Sequence, residues 1–242
     1  MALLDCKALS KAFGGVVAVK SLSFTVEEGE ILGLIGPNGS GKTTVLNLIS
    51  GVLRPDAGEI IFKGKNIVGL RPHKICQLGV ARTYQNVRPF LSHTVLQNVM
   101  VGALFGRGVR QEDATARSTI EFVGLSGKEN RLVESLNLKE RKMVEIARAL
   151  ASKPSLLLLD EPMAGLNPSE VNIFLDLIKR IHSLGVTLII VEHVMRAIMS
   201  IANRILVLHL GEKLAEGEPQ EISANRKVIN IYLGEEYASA RG

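Results

Sequence analysis

The sequence predicts an α/β fold: a core of parallel strands and helices, an antiparallel β subdomain at the N-terminus, and an α-helical subdomain inserted into the core. Three observations carry this. The run Ile31 to Ile35 leads through a glycine-rich loop into the helical pattern Val45 to Ile49. Leu156 to Leu159 and Val186 to Val191 are apolar without alternation, as central parallel strands covered on both faces require. Between Asn86 and Lys153 no strand pattern is visible and helical periodicity takes over. The expected organisation is one domain over 1–242, with an α/β core and β subdomain in 1–86 and 154–242 and the helical subdomain in 87–153.

The elements follow in order. Leu3 to Leu9 and Val16 to Val26 read as strands joined by Lys11 to Gly15, an antiparallel flap at one edge of the main sheet. The helix after the glycine-rich loop runs to Ser50 and stops at Gly51. Glu59 to Phe62 is a short strand, Lys63 to Asn66 a turn, Pro72 to Leu78 a helix and Val80 to Tyr84 a strand. Thr94 to Ala103, Gln111 to Val123 and Leu138 to Ala151 are helical, punctuated by Gly106, Gly108, Gly124 and Gly127. Pro168 to Leu184 is an amphipathic helix with Pro168 tolerated in its first turn. His193 to Ile201 is a helix, Arg204 to Leu210 and Glu212 to Ala215 are strands, and Pro219 to Leu233 is a helical tail.

Composition narrows the function classes. A hydrophobic content of 46% supports a packed core and excludes a disordered chain. No apolar run approaches the roughly 20 residues a membrane-spanning helix needs. The start, Met1 to Asp5, lacks the basic and apolar regions of a signal peptide, so a cytosolic chain is expected. Cys6 and Cys76 are the only cysteines and form no C-x-x-C pair, so both are expected as buried free thiols. The net charge of +5 suits an anionic membrane surface or nucleic acid, or reflects ordinary scatter of Lys and Arg. With no Trp and 4% aromatic residues, a base-stacking surface is not expected, and nucleic acid is not an expected partner.

The chemistry centres on Gly36, Pro37, Asn38, Gly39, Ser40, Gly41, Lys42, Thr43 and Thr44. Gly36, Gly41, Lys42 and Thr43 satisfy G-x-x-x-x-G-K-[ST] in a strand–loop–helix context. Glycines let backbone N–H groups converge on a phosphate chain, and the helix adds the positive end of its dipole. Lys42 reaches the β- and γ-phosphates and Thr43 offers a hydroxyl to Mg²⁺. Asp160 and Glu161 close the buried strand at its C-terminal end, the edge where open parallel sheets bind ligands. Asp160 suits Mg²⁺, directly or through water, and Glu161 suits the general base for the attacking water. Gln85, after another strand, can bind Mg²⁺ or that water. His193, after a third, suits the γ-phosphate or Glu161. Phe13 is either an edge aromatic or a stacking platform for a base.

Together these residues resemble the nucleotide-binding domain of ABC transporters, a P-loop NTPase (RecA-like) fold. The resemblance spans nearly the whole chain: Gly36 to Thr44 matches the Walker A motif, Gln85 the Q-loop, Leu156 to Glu161 the Walker B segment, Ala164 to Asn167 the D-loop, His193 the switch histidine, and Phe13 the base-stacking position. It implies ATP and Mg²⁺, with two ATP sites shared between two such domains, each site completed by the partner's signature loop. Gly79 to Phe90, Thr94 to Val99, Glu161 to Pro168 and the end from Arg204 to Leu233 are similar to importer ATPases for branched-chain amino acids. That likeness implies transmembrane permease subunits, indirectly a periplasmic or extracellular substrate-binding protein, and a peripheral place on the cytoplasmic membrane face. Closely related ATPases serve urea, amide or aromatic-acid importers and lipopolysaccharide export. A DNA-repair or translation ATPase would carry coiled-coil insertions or tandem domains, and a small-molecule kinase would lack the Glu161 and His193 pair.

The departure lies in the signature loop, where Leu136, Asn137, Leu138, Lys139 and Glu140 stand in place of the family's L-S-G-G-Q. A hydroxyl and two glycines are lost. Asn137 and Glu140 have the spacing of a capping box, so the loop reads either as the start of a stable helix, which the spacing favours, or as a preserved phosphate grip. A weak signature would serve the partner's site poorly, so a heterodimer with a second ABC ATPase subunit is expected over a homodimer.

Overall fold

The computed structural model describes residues 2–85 and 89–231, and the chain divides into two compact units. The first comprises the described residues of Met1–Leu70 and Ile189–Gly242, and the second is Arg71–Leu188. Of the stretch likened to importer ATPases, residues 86–88 lie outside the described residues, as does the end of the C-terminal tail.

In the first unit β1 (Ala2–Phe13) and β2 (Val16–Glu27) pair antiparallel, and β1 also pairs antiparallel with β4 (Ala57–Phe62). The order is β2-β1-β4-β5, with β5 being Lys65–Asn66. The expected edge flap is therefore a sheet of its own, and Lys65 and Asn66 are strand rather than turn. The reason is β4: alternate burial of Ile60 and Phe62 gives it an apolar face, β1 supplies its backbone partners on one edge, and β4 in turn supplies those that β5 needs. β3 (Ile31–Ile35) is buried at every residue and runs parallel to β9 (Arg204–His209), which pairs antiparallel with β10 (Glu212–Gly217). Arg204, at the start of β9, donates to both Glu30 carboxylate oxygens at 2.8 and 3.0 Å and to the Thr25 carbonyl at 2.7 Å, and also pairs with Glu216. A bidentate guanidinium fixes the strand ends more firmly than a point charge would.

α1 (Lys42–Ile49) follows β3, with Ser50 at its C-terminal cap and Gly51 beyond at φ 72°. α7 (Met195–Met199) is shorter than the expected His193 to Ile201 helix, because Glu192 accepts the His193 and Val194 backbone N–H groups at 3.1 and 3.4 Å and holds them outside it. α8 (Pro219–Ala224) ends at Asn225, so the expected continuous tail is broken there. Asn225 accepts from Lys227 N at 3.0 Å, an Asx turn that restarts the helical run at 226–231. Cys6 is buried and free, and burial with the neighbouring Asp5 pushes its thiol far above the ordinary range, which makes it inert. Cys76 is also free but half-buried, not buried, because it lies near the end of the exposed α2 (Pro72–Leu78).

In the second unit β6 (Val80–Arg82) runs parallel to β7 (Leu156–Asp160) with Arg82 opposite Leu158. The strand stops at Arg82 rather than reaching Tyr84. This unit also holds α2 and the helices α3 (Val95–Phe105), α4 (Glu112–Phe122), α5 (Leu138–Ala151) and α6 (Pro168–Ser183), with a 3-10 turn at Val133–Ser135. α3 opens on a Thr94–Gln97 capping box. α3 and α5 approach so closely that a β-carbon on Gly102 would lie 1.8 Å from the Arg148 carbonyl, so only glycine fits there. β8 (Thr187–Val191), buried throughout, starts in the second unit and ends in the first. No helix among the described residues is long and apolar enough to cross a membrane.

Candidate functional site

The sequence-predicted site residues fall on both units. Phe13, Gly36 to Thr44 and His193 belong to the first. Gln85, Asp160 and Glu161 belong to the second.

In the first unit the loop leaves β3 at Ile35 and enters α1 at Lys42. Gly36 has φ 151°, and a β-carbon there would sit 2.1 Å from the Leu208 carbonyl and 2.7 Å from Ser40 Oγ. The loop is therefore pressed onto the end of β9, and Ser40 O accepts from Gly211 N at 3.1 Å. Lys42 is buried, and its ammonium donates to the carbonyls of Gly36 at 2.7 Å and Pro37 at 2.8 Å. The cation thus bridges the loop. Ser40 Oγ is buried with no hydrogen-bond partner among the described residues, a costly state for a hydroxyl and one that fits a phosphate oxygen as acceptor. α1 has no acidic residue in its first turn, which leaves its dipole unopposed. Phe13 is half-exposed at the end of β1, with the Lys11 ammonium 5.7 Å from its ring centre. His193 is exposed.

In the second unit Asp160 is buried and its carboxylate takes a hydrogen bond from Arg82 Nη2 at 3.0 Å. The parallel register explains the pairing. Arg82 lies opposite Leu158, and Asp160 is two residues further along on the same face. Removing one member of a buried pair strands the other charge, at a cost of about 3 kcal/mol or more. We expect Arg82→Met to lower the urea unfolding free energy by about that amount. A loss under about 1 kcal/mol would mean that Arg82 does not sustain the Asp160 charge.

Glu161 is buried and its carboxylate accepts from Gln85 Nε2 at 2.7 Å. The Gln85 carbonyl oxygen is left as a possible acceptor or ligand. Glu161 has φ 50°, the left-handed region that a residue bearing a β-carbon occupies at a cost of about 1 kcal/mol or more. Such strain gathers at functional sites, and here it falls on the residue read as general base.

The signature loop forms the capping box. Asn137 Oδ1 accepts from Glu140 N at 2.9 Å, and Glu140 Oε2 accepts from Asn137 N at 3.2 Å. Burial raises the Glu140 carboxyl, but the Lys128 ammonium and the Asn137 N–H outweigh it and hold the group below its ordinary value. Arg141 ties the loop further, donating to the carbonyls of Leu136 at 2.9 Å and Glu134 at 2.6 Å. Asn167 opens α6 in the same way, accepting from Glu170 N at 3.0 Å.

Sequence reading did not single out Arg82 or Lys142. A charged residue inside the apolar strand Val80 to Arg82 was the available signal for the first. For the second it was a lysine on the buried face of α5, where only 6% of Lys142 is exposed.

A phosphate-shaped loop on a strand–helix joint, together with an acidic pair ending a buried strand, defines a P-loop nucleoside triphosphatase. Residues 19–164 match the ABC transporter family, and residues 212–238 match the branched-chain amino acid ATP-binding cassette transporter family. The chain belongs to the ABC transporter family and is an ATP-binding subunit with transport-coupled ATP hydrolase activity. It is 38% identical over 250 residues to the high-affinity branched-chain amino acid transport ATP-binding protein BraF of Pseudomonas aeruginosa, covering 96% of this chain and 98% of that protein. It is 37% identical over 250 residues to LivG of Escherichia coli, of the same description, with the same coverage. Among solved structures it is similar to the ADP conformation of an ATP-binding cassette of an ABC transporter, with TM-score 0.88, 30% identity and 97% and 99% of the two chains covered. It is also similar to a dimeric post-hydrolysis cassette bound to ADP and phosphate, with TM-score 0.80, 25% identity and 89% and 98% coverage.

Proposed function

We propose that this chain energises an importer for branched-chain or other hydrophobic amino acids, from the cytoplasmic face of the membrane. The observation that carries the cargo is the match of residues 212–238, which comes on top of near full-length likeness to BraF and LivG. In this reading the chain acts as a single ATPase domain with a helical insertion at 87–153. Its partners are transmembrane permease subunits, a second and non-identical ABC ATPase, and indirectly a substrate-binding protein outside the membrane.

The roles follow from the chemistry of the residues. Gly36 to Thr44 cradle the triphosphate, with Ser40 Oγ and the Lys42 ammonium as donors, and Phe13 stacks on the base. Thr43, Gln85 and Asp160 would hold Mg²⁺. All three offer hard oxygens, and among the described residues no cluster of three or more His, Cys, Asp or Glu competes as a metal cage. That suits an ion that keeps several waters and shares its shell with phosphates. When bound, Mg²⁺ neutralises charge on the β- and γ-phosphates. Glu161 takes the proton of the water that attacks the γ-phosphorus as the bond to the β,γ-bridging oxygen breaks. Gln85 orients Glu161 through the 2.7 Å hydrogen bond. His193 contacts the γ-phosphate, so that its loss on hydrolysis is felt.

The test is affinity purification from membranes, followed by transport in vesicles rebuilt from the recovered complex. Co-purifying permeases and ATP-dependent uptake of labelled leucine are expected. Uptake of urea, an amide or an aromatic acid instead, or recovery without membrane proteins, would overturn the cargo or the transport role respectively.

A further inference from the structure

We propose that Lys142 is a positioning residue for this chain's own hydrolytic carboxylate, and that it ties Glu161 to the helix that begins at the signature loop. The proposal rests on the reading of Glu161 as general base. Lys142 Nζ donates to the Glu161 backbone carbonyl at 3.2 Å in a buried setting. An ammonium taken out of water must recover hydrogen bonds, and this carbonyl is one of them. The carbonyl it grips belongs to the residue with the strained backbone, Glu161 at φ 50°. Glu161 is thus held at its carboxylate by Gln85, and at its carbonyl by Lys142 together with the Ala164 backbone N–H at 3.2 Å.

A second contact runs parallel to the first. The β-carbon position of Gly165 lies 3.2 Å from Leu138 Cδ2, so the D-loop packs on the residue that opens α5. Leu138 and Lys142 are four residues apart, one helical turn, and share a face. That face of α5 therefore touches the segment from Glu161 to Gly165 at both of its ends. A shift of the α5 N-terminus is carried to the general base within the same chain. A base must sit within hydrogen-bond reach of its proton, and small misplacements cost large factors in rate.

The experiment uses the assembled complex with its membrane subunits. Lys142→Met, close in length and uncharged, is expected to lower kcat for ATP about tenfold, with KM, the affinity for a fluorescent ATP analogue and Tm little changed. Lys142→Gln should give the same loss, and serves if the Met variant folds poorly. Lys142→Arg should restore most of the rate. Glu161→Gln is measured alongside. If Glu161→Gln is inactive and Lys142→Met turns over at the parental rate, the Lys142 role is overturned while the base assignment stands. If kcat, nucleotide affinity and Tm fall together in Lys142→Met and Lys142→Gln alike, the residue is merely structural and the proposal is likewise overturned. If Glu161→Gln turns over normally, the base assignment fails and the proposal falls with it.

Discussion

Replacing Glu161 by Gln is expected to stop ATP turnover while leaving ATP bound. The substitution keeps the volume of a residue that is only 8% exposed, and it keeps an oxygen for the Gln85 Nε2–H donor that now lies 2.7 Å from Oε2. What it removes is the capacity to accept a proton. General-base catalysis contributes roughly 10²–10⁴-fold, so kcat should fall by at least about 100-fold. Affinity should hold, because the phosphate-binding groups reside in Gly36 to Thr44, where Lys42 and Ser40 are placed by contacts with Gly36, Pro37 and Gly211 that do not involve Glu161. Phosphate release and equilibrium binding of a fluorescent ATP analogue separate the two quantities. Retention of more than a tenth of the parental rate would remove Glu161 from the role. Joint loss of rate and binding would assign it to nucleotide retention instead.

The parts of the molecule legible in the sequence are those set by local chemistry. The loop after β3 could be read because its glycines, Lys42 and Thr43 sit in fixed register within nine consecutive residues. Helix α5 matches its expected span, Leu138 to Ala151, because its apolar period and its Asn137–Glu140 cap are both local. The acidic pair at the end of β7 was visible for the same reason. Three things needed the third dimension. Lys65 and Asn66 are strand only because Ile61 and Phe62 of β4 stand opposite them. Asp160 meets Arg82 across 78 positions of sequence, through a parallel register that no local pattern encodes. Lys142 reads as an ordinary polar residue on a helix until its ammonium is found on the Glu161 carbonyl. A short helix folds shorter than its sequence pattern where a side chain captures backbone N–H groups just outside it, as Glu192 does before α7.

Alone, the protein should hydrolyse ATP slowly, and a paralogous subunit with an intact L-S-G-G-Q loop should raise the rate by about 100-fold, the order of factor that one transition-state phosphate-binding element supplies. The reason is in the first turn of α5. A helix N-terminus binds an anion through unpaired N–H groups and a positive dipole end. Here the Glu140 N–H is already taken by Asn137 Oδ1, and the Glu140 carboxylate, held ionised beside Lys128, puts negative charge where a phosphate would have to approach. Leu138 and Lys139 add β-carbons where the family has glycine. Asn137→Ser with Lys139→Gly restores the hydroxyl and one glycine, and serine still caps a helix well, so the fold should persist. In the lone chain the double variant is expected to raise the ATPase rate at least several-fold, whereas in the heterodimer the gain should be small because the strong site already has a complete partner. Full activity of the unmodified chain by itself, indifferent to both substitutions, would show that the capped loop grips phosphate after all and would remove the case for two unequal sites.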